Sequence, residues 1–252
     1  MKPFEFYNTI KIAKDKEKLS KTFSKLNNLY HKIPKTKGCM ENIEKEDGCN
    51  AWCCVLQSPQ MLYSEFLMAW DYISKNWTDE EICDLFERCM LNAVNPLPSK
   101  GCVFFDGENN LCKIHKRRPL NCRIYGITPK EEFEPRYLRL EEEYKSILGA
   151  VCKPQCGLVS TVDGEEVTKD DTDSWWEGLV DIEEDMGVPK KLANDGNGGS
   201  YRSPHDHVLV YNMPDNVLNA VAGIKKYKTL ADKKEAIGNL VKVLKGVFTN
   251  KS

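Results

Sequence analysis

The chain has 252 residues, 41% of them hydrophobic, which is enough to bury a substantial core without covalent cross-links. Its formal net charge is -2, with 38 acidic residues against 36 lysines and arginines, and no aromatic-interleaved basic patch argues for a nucleic-acid surface. Eleven cysteines exceed what such a chain needs for folding, and their odd number leaves one over in any disulfide scheme.

The first residues, MKPFEFYNTIKIAKDKEKLSK, hold no apolar stretch followed by small residues, so the expected location is the cytoplasm. No run approaches the roughly 18 consecutive apolar residues of a membrane span. In a reducing compartment, thiols grouped at short spacing read as metal ligands rather than disulfides. Lysines dominate the start of the chain, where Lys2, Lys11, Lys14 and their successors to Lys37 meet only Glu5, Asp15 and Glu17. A solvated helix face or a surface for an acidic partner would each explain that run. Between Asp163 and Asp185 the chain is acidic instead.

Taken in chain order, Leu19, Phe23, Leu26 and Leu29 recur at helical spacing, which predicts an amphipathic helix from about Ile12 to Tyr30, closed by Pro34. A loop then carries Cys39, Cys49, Cys53 and Cys54. Ser58-Pro59 has the form of a helix cap followed by a first-turn proline, so a helix should open there, with Met61, Leu62, Phe66, Leu67 and Trp70 on its apolar face. Thr78 and Glu81 form a capping box for the next helix, whose face is Ile82, Leu85, Phe86 and Cys89. The segment CVFFDGENNLCKIH reads as a hairpin, and a loop centred on Gly107 would set Cys102 and Cys112 opposite or nearly opposite each other. Cys152 and Cys156 flank Lys153-Pro154-Gln155 on a second cysteine loop. Residues 194–200 are too glycine-rich for regular structure. Asp215 to Lys228 and Thr229 to Val247 close the chain as two amphipathic helices.

The fold class that follows is α+β, mainly helical, with a small β-hairpin and cysteine-rich loops around a metal centre. Three parts are expected: residues 1–38 as a helical segment, 39–160 as the metal-binding part, and 161–252 as an acidic and Gly-rich region with C-terminal helices packed on the same domain.

The chemistry lies in Cys49-x3-Cys53-Cys54, in Cys102, Cys112 and Cys122, and in Cys152-x3-Cys156. Thiolates two to four residues apart in a loop reach one metal without refolding the backbone between them. Adjacent Cys53 and Cys54 differ, because neighbouring side chains on an extended segment point to opposite faces. Either the backbone turns sharply there or the two sulfurs serve different metal atoms. Cys83 and Cys89 sit six apart on a helix, cannot easily share a metal, and are assigned to packing or surface. Arg118 and Arg123 beside Cys122 would offset the charge of a thiolate cluster, or Arg118 would pair with a carboxylate such as Asp106. His205 and His207 alternate, which on a strand would put both imidazoles on one face; a polar surface loop is the other reading.

The segments GCNAWCC and GCVFFDGENNLCKIHKRRPLNCRIYG together resemble the YkgJ-like, or CxxCxxCC, cysteine-cluster family of zinc- or iron-chelating domains. Cys102, the aromatic pair, Asp106, Cys112, His115, Arg118-Pro119, Cys122-Arg123 and Tyr125 carry the likeness. The first motif departs from the pattern, with Ala51-Trp52 in place of a cysteine and glycine, so Cys39 or Cys49 fills the leading position. The resemblance implies metal chelation through these cysteines. A flagellin lysine methylase has a similar motif, which opens an enzymatic role as an oxidoreductase or transferase.

The expected cofactor is an iron–sulfur cluster of the 4Fe-4S type held by four of Cys49, Cys53, Cys54, Cys102, Cys112, Cys122, Cys152 and Cys156, with a second centre for the surplus. A structural zinc module mediating protein contacts and a metal-trafficking protein are the alternatives. A protein or small molecule, rather than a membrane or nucleic acid, is the expected partner.

Overall fold

The computed structural model describes residues 15–36, 54, 58–95, 101–109, 111–148, 160–188 and 201–249. Over these the chain is mainly helical with a small two-stranded antiparallel hairpin, as the patterning predicts. Helix α1, Lys16–His31, opens where the Asp15 carboxylate accepts the Lys18 amide at 3.0 Å, and it buries Thr22, Leu26, Leu29 and Tyr30. That cap sets the start later than the apolar spacing alone indicates.

Helix α2 is Tyr63–Asn76, four residues beyond Pro59. The Ser58-Pro59 expectation is therefore corrected: the intervening backbone is committed elsewhere, because Met61 pairs with Arg202 through hydrogen bonds of 2.8 and 3.0 Å. Two buried carboxylates cap the helix instead. Glu65 accepts the Leu62 amide at 2.9 Å, and Glu183 accepts the Tyr63 and Ser64 amides at 3.0 and 2.8 Å. A helix leaves its first amides without partners, and carboxylates there are favoured by both hydrogen bonding and the helix dipole.

Helix α3, Asp79–Val94, begins with the expected reciprocal cap: the Glu81 amide meets Thr78 Oγ1 at 3.2 Å and the Thr78 amide meets Glu81 Oε2 at 2.8 Å. Strands β1, Phe105–Asp106, and β2, Leu111–Cys112, form the hairpin, with Phe105 opposite Cys112 and Asp106 opposite Leu111. Short α4, Leu120–Arg123, and then α5, Lys130–Leu148, follow. Helix α6, Lys169–Asp185, ends at Gly187, whose φ of 89° lets the chain reverse so that Val188 returns a hydrogen bond to the Glu183 carbonyl. Helices α7, Pro204–Asn212, α8, Asp215–Ile224, and α9, Leu230–Thr249, complete the chain, the last opened by Thr229 accepting the Asp232 amide.

The apolar faces meet in two clusters. Phe66, Trp70, Leu85, Phe86, Cys89, Val208 and Ile237 join α2 and α3 to α7 and α9. Leu26, Leu62, Leu120, Trp175 and Leu179 join α1, α4 and α6. Each such side chain contributes about 1.5–3 kcal/mol through removal from water. Helices α1 and α6 approach closely at Gly178, where an added Cβ would stand 3.3 Å from Leu29 Cδ1.

The paired histidines lie on α7, not on a strand. Ser203 caps that helix and Pro204 occupies its first turn, so residues two apart diverge in direction. The His207 ring packs against both Phe66 and Tyr211, which also stack on each other, and its Nε2 stands 2.9 Å from the Met61 carbonyl, which makes it a core residue. Residues 194–200, like Cys39, Cys49, Cys53, Cys152 and Cys156, lie outside the described residues. Among the described helices none is long and apolar enough to cross a membrane.

Candidate metal centre

Cys54, Cys102, Cys112 and Cys122 line one cavity of about 710 Å³. They come from three places. Cys54 ends the first motif, Cys102 precedes β1 and Cys112 ends β2, and Cys122 is the third residue of α4. The Cys102 amide donates to the Cys54 carbonyl at 2.7 Å, which ties the first motif to the hairpin base.

The two hairpin cysteines are not cross-strand partners, because the loop is centred between Glu108 and Asn109 and places Phe105 across from Cys112. Cys102 reaches the same cavity through a tight turn, closed by the Phe105 amide on the Cys102 carbonyl at 3.1 Å. The hairpin is held from outside by three side chains on one face of α3. Glu81 pairs with Lys113 at 2.7 Å, Arg88 donates to the Phe105 carbonyl at 3.1 Å, and Asn92 donates to the Gly101 carbonyl at 3.0 Å. Lys113 also lies over the Trp77 ring, 4.6 Å from its centre.

Cys122 is positioned by a buried polar knot. Glu65 is 1% exposed and accepts from Tyr30 Oη at 2.7 Å, from the Leu62 amide at 2.9 Å and from the Leu120 amide at 2.6 Å. One carboxylate thus joins α1, α2 and the start of α4. Burial pushes its pKa up, and the three donors oppose that push. Arg123 stacks over Tyr30 at 4.0 Å and donates to the Arg118 and Lys116 carbonyls at 2.9 and 3.2 Å. Arg118 lines the cavity, and its Nη1 stands 3.0 Å from His115 Nε2. Burial first, then the charges of Arg118 and Arg123, bring His115 down to about 4. Arg118 thus pairs with His115, while Asp106 accepts from Asn109 and the Glu108 amide within its own loop.

The thiols perturb one another. Burial and then neighbouring Cys112 raise Cys102 to about 12, while the Phe104 amide, hydrogen-bonded to it, draws it down. Cys122 is raised well above the usual thiol range by burial, then by Cys102 and Cys112, and Arg118 lowers it. Thiols that disfavour one another's ionisation around one space are the donor set that a bound cation relieves, since the metal charge offsets the repulsion between thiolates. The set fits a metal with an affinity for soft sulfur. As they stand, no three histidine, cysteine or carboxylate side chains among the described residues converge on a single point.

Cys83 and Cys89 are buried on α3 and do not line the cavity, although Cys89 is near enough to Cys102 to raise its pKa. Sequence reasoning missed Glu65 and Tyr30. A glutamate inside MLYSEFLMAW was the available signal, because a charge within an apolar run needs partners.

A helical scaffold that presents a hairpin and four thiols to one cavity has the donor chemistry of a cysteine-rich metal-binding protein. Residues 44–153 match the model of the CxxCxxCC family, "Putative zinc- or iron-chelating domain", which bears out the resemblance over that stretch. The stretch is under half of the chain and takes in Cys49 through Cys152, leaving Cys39 and Cys156 outside. Neither the curated proteins nor the solved structures contain a match to the chain.

Proposed function

We propose that the protein binds an iron–sulfur cluster of the 4Fe-4S type, with Cys54, Cys102, Cys112 and Cys122 as ligands and residues 39–160 as the metal-binding part. The supporting observation is that these thiols, from three separate segments, all line one cavity of about 710 Å³. A closed zinc site draws its four sulfurs onto one ion at about 2.3 Å each, whereas a cluster spreads its ligands around several irons. Cys49, Cys53, Cys152 and Cys156 supply a second centre in this reading, with Cys39 as the other candidate for the leading position.

A bound cluster supplies one-electron redox chemistry. The chain's own residues shape it. Arg118 offsets negative charge at Cys122, the Phe104 amide donates to the Cys102 sulfur, and Glu65 fixes the helix that carries Cys122. Anaerobic purification tests the reading: a brown protein with visible charge-transfer absorption, iron and acid-labile sulfide is expected. A colourless protein with stoichiometric zinc overturns it in favour of a structural zinc module. Weak, readily exchanged metal overturns it in favour of metal trafficking.

A further inference from the structure

The cavity extends well beyond the thiols, and its other wall has a chemistry of its own. Lys113, Lys116, Arg118 and Arg136 line it, yet no aspartate or glutamate does among the described residues, although the chain holds 38 of them. Lys113 is engaged by Glu81 and Arg118 by His115. Lys116 and Arg136 have no carboxylate partner among the described residues. Positive charge therefore remains here after the local pairings are made.

Aromatic surface accompanies that charge. Phe133, Arg136 and Tyr137 project from one face of α5, at positions i, i+3 and i+4. The Phe133 ring meets Tyr125 edge-on at 5.8 Å and Tyr137 at 5.9 Å. Tyr201 lines the same cavity with its hydroxyl fixed, because Asn121 donates to Tyr201 Oη at 2.7 Å and to the Gln60 carbonyl at 2.7 Å. An oxygen that accepts in this way keeps its own proton to donate. Burial raises the Tyr201 hydroxyl, and the Asn121 hydrogen bond opposes that; Arg136 and Tyr201 line the same cavity.

We propose that this end of the cavity binds a small organic carboxylate with a planar apolar body. The Arg136 guanidinium and the Tyr201 hydroxyl hold the carboxylate, and the body lies along Tyr125, Phe133 and Tyr137 toward the thiols. A planar guanidinium matches a carboxylate's two oxygens, and aromatic walls supply apolar contact to the rest. This inference rests on the metal reading for what the body faces at its inner end.

Isothermal titration of the full, anaerobically purified protein with phenylacetate, phenylacetamide and inorganic phosphate tests it. Phenylacetate is expected to bind with a Kd on the order of 0.1–1 mM, about tenfold or more tighter than its neutral amide. Arg136→Gln, a change at an exposed residue, should weaken phenylacetate about tenfold, and Tyr201→Phe about threefold, with iron and sulfide content unchanged in both. Absence of phenylacetate binding, equal binding of the amide, equal binding of phosphate, or an Arg136→Gln protein that binds like the parent each overturns the proposal. If the purified protein lacks iron but binds phenylacetate through Arg136, the iron–sulfur reading falls and the carboxylate site stands.

Discussion

Cys89 on α3 is buried and Cys122 on α4 is partly buried on a cavity wall, and loss of solvation raises both thiols well above their usual range. Their surroundings differ in kind. Around Cys89 the neighbours are Leu85, Phe86 and the apolar faces of α7 and α9, the charges that shift it are Arg88 and Asp206, and it raises Cys102 from outside the cavity. Around Cys122 the principal perturbing charges are other thiols, Cys102 and Cys112, across a cavity. Burial in an apolar core makes a cysteine a small apolar side chain; a place beside other thiols on a cavity wall gives it access to a bound ion as well.

The largest expected effect that would break this contrast is on metal content. Cys112→Ser and Cys122→Ser each replace a soft thiolate with a hydroxyl that rarely ionises, so iron per chain should fall by about half or more with loss of visible absorption. Unchanged iron in both variants would place the metal elsewhere. Next comes the knot beneath Cys122. Glu65→Leu strands the Leu62 and Leu120 amides and the Tyr30 hydroxyl, and should cost on the order of 3–5 kcal/mol in denaturant unfolding, with a parallel loss of iron. A stable Glu65→Leu protein with full iron would show that α4 is held by other contacts.

Cys89→Ser sharpens the comparison from the other side. It should leave iron unchanged while costing about 1–3 kcal/mol, because its hydroxyl meets an apolar surface; loss of iron in this variant would erase the distinction between the two groups. The smallest effect concerns His115, whose pKa of about 4 in the fold lies below its ordinary value near 6.5. Between those values the unfolded chain takes up a proton that the folded chain refuses. Stability should therefore fall as pH drops from about 6.5 toward 4, by about 1–2 kcal/mol once solvent screening of a half-buried ring is counted. In His115→Gln that part of the slope should vanish in pH-dependent thermal melts, and an unaltered slope would exclude His115 as its source.

Most helices were legible in the sequence, and the misplacements have physical causes. Ser58-Pro59 and Ser203-Pro204 are the same dipeptide, yet only the second opens a helix directly. At the first, the Met61 pairing with Arg202 and the carboxylates of Glu65 and Glu183 decide the start, and two of those three partners lie more than a hundred residues away. Local periodicity carries no record of such partners. The hairpin was legible from its turn residues, but its register was not, because a loop of this length allows several centres and the pairing is settled by what holds it against α3. Of the site, the cysteine spacing and the R-P-x-x-C-R run were readable, whereas the Tyr30–Glu65–Leu120 connection joins three distant segments and leaves only the odd glutamate as a trace.

The Glu183 cap also bears on portability. The family match ends at residue 153, but the carboxylate that closes the α2 amides arrives from residue 183, and the cavity wall includes Tyr201 and Pro204. A chain cut at the end of the match would keep most of the thiols and lose the acceptor at the head of the helix beneath them. Two amides would then lose their acceptor together with the helices packed over them, so the recognisable segment of sequence is smaller than the smallest piece that closes its own hydrogen bonds.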